Sequence, residues 1–275
     1  MLATPNADLL LLGAGQCFFA PFDDDGVARN FRHLGNCEAL EDTTTDDPLI
    51  KRSSMTSNRP VYKKVNRGRE VVLRVVGNEF DANNMALMTM GDVAFTTQAA
   101  TAVVDRILVT DVDTLGAGTL GDLLGDRYFY VGNLLINTVT MKLGITSLGA
   151  TDFAVFNANM GVVKILSTST QAVAAGDDLM VSFTPTAITG TDAPIVRGGT
   201  QATVEGGFLY IADNASGPNG ILRAHSVSIT PDGALGLISD EFATFALNLT
   251  VQDDAAGNHG GTEDNPLYSI QYLPD

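Results

Sequence analysis

The sequence predicts a mostly β fold with a single helix, and three observations carry that prediction. Charged residues make up only 17%, glycine is frequent at 28 and tryptophan is absent, a composition of turn-rich β architecture. Apolar and polar residues alternate over many short stretches. Turn signals such as Gly176-Asp177, Gly198-Gly199 and Ser216-Gly217-Pro218-Asn219-Gly220 separate them. With 45% apolar residues over 275 positions, the chain has enough to build a core without staples. No composition break marks a linker, so 1–275 reads as one domain.

Taken in order, Gly13-Ala14-Gly15 closes the apolar run Leu9–Leu12 and reads as strand and turn. It lacks the third small residue of a dinucleotide loop, since position 18 is Phe, and no helix pattern follows. Residues 36–46 and 61–76 read as the arms of a long hairpin joined by the polar stretch 47–60, whose length marks a contact element. Within the second arm, Val71, Leu73 and Val75 point one way and Glu70, Val72, Arg74 and Val76 the other. The helix is expected at 81–90. Asp81 can cap it, Phe80 and Met85 stand at the positions of a hydrophobic staple, and Gly91 offers a left-handed stop.

The middle, 92–222, holds strand candidates around 102–112, 127–139, 152–156, 160–168, 178–184 and 203–212, with room for surface decorations and a short helical turn near Leu120, Leu123 and Leu124. The clearest alternation comes last. In 225–230 Val227 and Ile229 oppose Ser226, Ser228 and Thr230, and in 243–251 Phe245, Leu247, Leu249 and Val251 oppose Thr244, Ala246, Asn248 and Thr250. Pro231-Asp232-Gly233 turns between them, and 234–239 is read as extending the second arm.

A net charge of −16 excludes binding nucleic acid over a broad basic surface. The distribution is lopsided: eight basic residues and only Glu70 as an acid lie in 51–74, giving +7 there and −23 elsewhere. An electrostatic partner weighs equally with a solvated hairpin. Cys17 and Cys37 have no metal-type spacing and read as buried free thiols; the run Leu9–Leu12 has no basic residue before it, so a reducing cytosol is expected.

No catalytic or metal residue is assigned. His33, His225 and His259 are isolated and no nucleophile elbow is present, while Asp23-Asp24-Asp25-Gly26, Asp111 with Asp113, and Asp253-Asp254 read as acidic turns. No cofactor is expected.

Several collinear segments resemble the major tail tube proteins of long-tailed, siphovirus-type bacteriophages. These are FFAPFDDDGVARNFRHLGNCEAL at 18–40, IKRSSMTSNRPVYKKVNRGREVVLRVVGNEFDANNMALMTMG at 50–91, ATDFAVFNANMGVVKILSTSTQAVAAGDDLMVSFTPTAI at 150–188, SVSITPDGALGLISDEFATFALNLTVQDD at 226–254 and PLYSIQY at 266–272. The middle and 255–265 depart from the family in length. The resemblance implies a β-sandwich or split-barrel protomer with one flanking α-helix, whose hairpins complete an inner β-barrel in a hexameric ring. Rings stack into a virion tube, assembled in the host cytoplasm, through which DNA passes without specific binding. Its partners are copies of itself and the tail terminator and tip proteins, with no membrane.

On that picture Ser226, Ser228, Thr230, Thr244, Asn248 and Thr250 face the lumen, and Lys51, Arg52, Arg59, Lys63 and Lys64 contact the next ring. Rim acids to receive them are sought in Asp23–Asp25, Asp177-Asp178 and Asp253-Asp254. Three alternatives stand beside it. One is the tube protein of a contractile tail or a type VI secretion system; the second is a β-sandwich surface or receptor-binding domain, which the low aromatic content of 7% disfavours; the third is a metal-dependent enzyme, which thermal shift with divalent cations and chelator would expose.

Overall fold

A computed structural model describes residues 11–55, 57–238 and 240–273. The start of the run Leu9–Leu12, Thr56 in 47–60 and Ser239 in 234–239 lie outside them. The fold is mostly β, 49% strand and 6% helix, in several antiparallel sheets with no closed barrel.

In chain order, β1 (Gly15–Pro21), β2 (Arg32–His33), β3 (Cys37–Arg52) and β4 (Val61–Gly77) precede α1 (Ala82–Met88) and β5 (Asp92–Phe95). Then come β6 (Val103–Val109), α2 (Leu120–Leu124), β7 (Tyr128–Tyr130), β8 (Ile136–Leu143), β9 (Thr146–Ser147), β10 (Phe153–Asn157), β11 (Val162–Ile165) and β12 (Leu179–Pro185). The chain ends with β13 (Pro194–Arg197), β14 (Val204–Ala212), β15 (Gly220–Pro231), β16 (Phe245–Val251) and β17 (Tyr268–Tyr272). Where the sequence reads one domain, the residues fold as two compact units, one of 1–94 with 196–275 and one of 95–195. Composition is blind to this because strands and turns make up both units.

The first unit is one sheet in the order β2-β1-β14-β15-β16-β4-β3, with β17 added beside β15. Its core is the inward face that the alternation predicts: Val71, Leu73 and Val75 of β4, Val227 and Ile229 of β15, and Phe245, Leu247, Leu249 and Val251 of β16, joined by Phe19, Phe208 and α1. Asp81 caps α1 by accepting from the Asn84 amide at 2.6 Å, and Phe80 packs edge-on against Phe245. The helix stop differs from expectation. Met90, not Gly91, takes the left-handed conformation at φ 48, while the Gly91 amide donates to Ala86 and the Met90 amide to Leu87. Gly91 is small for another reason: a Cβ there would stand 2.3 Å from the Arg197 carbonyl oxygen.

The second unit packs a three-stranded sheet, β10-β11-β7, and a four-stranded sheet, β6-β12-β8-β9, around one core that includes Val163, Ile165, Leu179, Val181, Phe183 and Met141. The short helical turn expected near Leu120, Leu123 and Leu124 is present as a second helix, α2. Thr119 and Asp122 form a reciprocal capping box at its start, a signal present in the sequence but followed by only five helical residues, too few for periodicity. At the root of this unit Gln98 is 9% exposed and pairs with Ile188 through both backbone groups. Its side-chain amide donates to the Leu134 and Thr186 carbonyls and accepts from Asn133 and the Leu134 amide.

Candidate assembly surface

The stretch 47–60 is not a loop throughout. β3 continues to Arg52 and β4 begins at Val61, so only 53–60 connects them. The ladder includes Leu49 opposite Val65, Ile50 opposite Lys64 and Lys51 opposite Lys63. Pro48 is tolerated because it sits at a register shift on an edge strand, where a missing N–H costs nothing. β16 covers β4 only from Val71 to Gly77. Beyond it the two strands run on as a ribbon exposed on both faces. That two-sided exposure hides the 47–52 end of β3 from pattern reading, since neither face has to be apolar.

The five predicted contact residues come together on this ribbon. Lys51 and Arg52 lie in β3, Lys63 and Lys64 in β4, and Arg59 in the connection at φ 40. Nearer the sheet, Arg67 pairs with Asp47, Arg69 with Asp46, and Arg74 with both Asp232 and Glu41. The Arg69 hydrogen bond holds the Asp46 carboxyl below the usual range. The five outer cations have no ion pair among the described residues, and Lys51 directly opposes Lys63, an arrangement that weakens a ladder. Leu49, Ile50, Met55, Val61, Tyr62 and Val65 are exposed beside them. Sequence reading of the charge missed this apolar component.

The six polar residues assigned to one face separate into three groups. Ser228 opposes Thr250 and Thr230 opposes Asn248, and these rows continue to Val72 and Arg74 on β4. The hydroxyl and amide face therefore extends into the Glu41–Arg74–Asp232 cluster. Thr244 is exposed and precedes the first residue of β16. Ser226 leaves the set: it is 3% exposed and donates to Gln252, because the 252–267 segment covers β15 there, with the Gln252 amide on the Ser226 carbonyl. The segment 234–238 has no strand pairing, so the second arm begins at Phe245.

The acidic turns accept from backbone amides, mostly of their own loop. Asp23 accepts from the Asp25 and Val27 amides and pairs with Arg29, which Asp25 also meets. Asp177 accepts from Ala174, Asp178 from Asp111, Asp253 from Ala255, and the buried Asp254 from His259 and Gly261. His259 stacks on Phe22 and bonds the Gly26 carbonyl, and His33 meets Phe18 edge-on. The histidines are far apart in role, and no described group of three or more His, Cys, Asp or Glu is arranged to hold a metal ion.

Cys17 is buried and Cys37 half-buried, both free thiols lining a recess of about 680 Å³ with Leu40, Leu73, Tyr210 and Leu222. The two sulfurs hydrogen-bond each other; that bond and then burial push the Cys17 thiol far up, and the same bond lowers Cys37. No described helix is long and apolar enough to cross a membrane.

Residues 10–262 match the model of a family described as "Protein of unknown function UCP028589". The chain belongs to this family. No curated protein matches it.

Proposed function

We propose that this chain is a structural virion protein, not an enzyme: six copies form a ring, and rings stack into a phage tail tube that conducts genomic DNA. The observation that carries the reading is the β3–β4 ribbon, an exposed ladder with outward apolar side chains and five cations without ion pairs among the described residues. A long ribbon with apolar side chains exposed on both faces is stable when another chain pairs with it or covers it. β3 is also the end strand of its sheet, so a neighbouring subunit has a free edge to extend. On this reading the β-sandwich or split-barrel protomer completes an inner barrel only in the hexamer. Ser228, Thr230, Asn248 and Thr250 then coat the lumen without offering phosphates a row of cations.

The deciding experiment is sedimentation velocity with negative-stain microscopy of the purified full chain across a concentration series. Six-fold rings or tubes of uniform bore are expected. A monomer at every concentration overturns the proposal.

A further inference from the structure

We infer that the basic tip of the β3–β4 ribbon docks head to tail into an acidic, apolar recess at the opposite end of the same sheet on a second copy of this chain. The inference rests on the tube reading for its six-fold repetition and names the surface that receives the ribbon.

Register places the two surfaces. The tip is where Arg52 pairs with Val61, and the far end of β4 is Gly77, paired with Cys37 on one side and Phe245 on the other. A 17-residue strand separates them, roughly 50 Å at about 3.3 Å per residue. Residues 48–65 contain five cations and no acid. Around them Met55 is 89% exposed and Tyr62 76%. At the far end Glu38, Asp240, Glu241, Phe242 and Thr244 line a recess of about 730 Å³. That lies within the range of about 300–1,000 Å³ that admits drug-sized groups, so several side chains fit. The same 232–244 connection holds Ile238 at 99% exposure, Phe242 at 96% and Leu237 at 78%, and it contains no base and, besides the Asp232 that pairs with Arg74, the acids Asp240 and Glu241.

Each surface thus supplies what the other lacks. The Lys51–Lys63 opposition is relieved by carboxylates brought against it. At this end Asp240 has no ion pair among the described residues, and Glu38 accepts from the Asn78 side-chain amide. Because the two surfaces differ and lie at opposite ends of one sheet, the contact is heterologous and propagates along the strand direction. It gives a stack one polarity.

The test uses the full chain with Cys37→Ser, carrying Met55→Cys and Phe242→Cys together, oxidised with diamide. The proposal expects a ladder of covalent multimers, with each single variant stopping at dimer or monomer. In parallel, Arg52→Glu with Arg59→Glu, and Glu38→Arg with Asp240→Arg, should each cut elongation at least tenfold, and all four swaps in one chain should restore it. Wild-type tubes with no ladder, or with no restoration in a chain of wild-type circular dichroism, overturn the docking and leave the tube reading standing. A ladder without six-fold rings upholds the docking and overturns the tube reading. A wild-type monomer with no ladder overturns both.

Discussion

His225 is 5% exposed and its Nδ1 has no hydrogen-bond partner among the described residues. Burial lowers its pKa below the ordinary histidine value; Arg223 adds to that and Asp254 opposes it. The ring is therefore neutral in the folded chain while the unfolded chain takes a proton below about 6.5. The stability it contributes is complete above that value and is lost as pH falls through the folded-state value. Urea midpoints measured from pH 8 to 5 should fall more steeply for the wild type than for His225→Leu; equal slopes would remove His225 as the cause. Cys37, the acceptor in the thiol pair and the less buried member, should alkylate with iodoacetamide well before Cys17, read by peptide mass. Cys37→Ser should not expose Cys17 to the reagent, since burial protects it.

Among the elements, the ribbon carries the sharpest expectation. Reversing Lys51, Arg52 and Arg59 to Glu should yield single rings or monomers, while the same three changed to Ala should slow elongation less. An exposed pair is worth only about 0–1 kcal/mol, but a ring repeats it, and salt screens it over about 8–10 Å. Sedimentation across a salt series reads this, and normal tubes from the triple reversal would return the ribbon to ordinary surface. In the second unit, Gln98→Leu removes four side-chain hydrogen bonds at a buried root and should destabilise that unit by about 3 kcal/mol in chemical denaturation. A loss below about 1 kcal/mol would mean that water replaces the amide there.

For the molecule as a whole, two cores predict two separable folding units. The ends of the 95–195 unit meet through the paired backbones of Gln98 and Ile188, the arrangement that makes domain insertion tolerable. The fragment 95–195 alone should therefore melt cooperatively by circular dichroism. The remainder, closed by a short Gly-Ser linker between 94 and 196, should still form rings under the microscope. A fragment without a cooperative transition would show that its core of Val163, Leu179 and Phe183 depends on the rest of the chain.

The sequence by itself determined the inward faces. Val71, Leu73 and Val75, or Phe245, Leu247 and Leu249, alternate with polar neighbours because one side of a pleated strand meets the core and the other does not, and that contrast is written in residue order. It determined the Asp81 cap for the same reason, since a cap is satisfied three residues away. Tertiary structure alone decided that 47–52 is strand, because a ribbon exposed on both faces has no alternation to display. It alone buried Ser226, by laying the 252–267 segment over a strand face that local pattern leaves open to solvent. It alone divided the chain into two units and set the acidic end of the sheet opposite the basic tip. Those facts depend on which distant strands pair and in what register, and no stretch of local sequence holds that information.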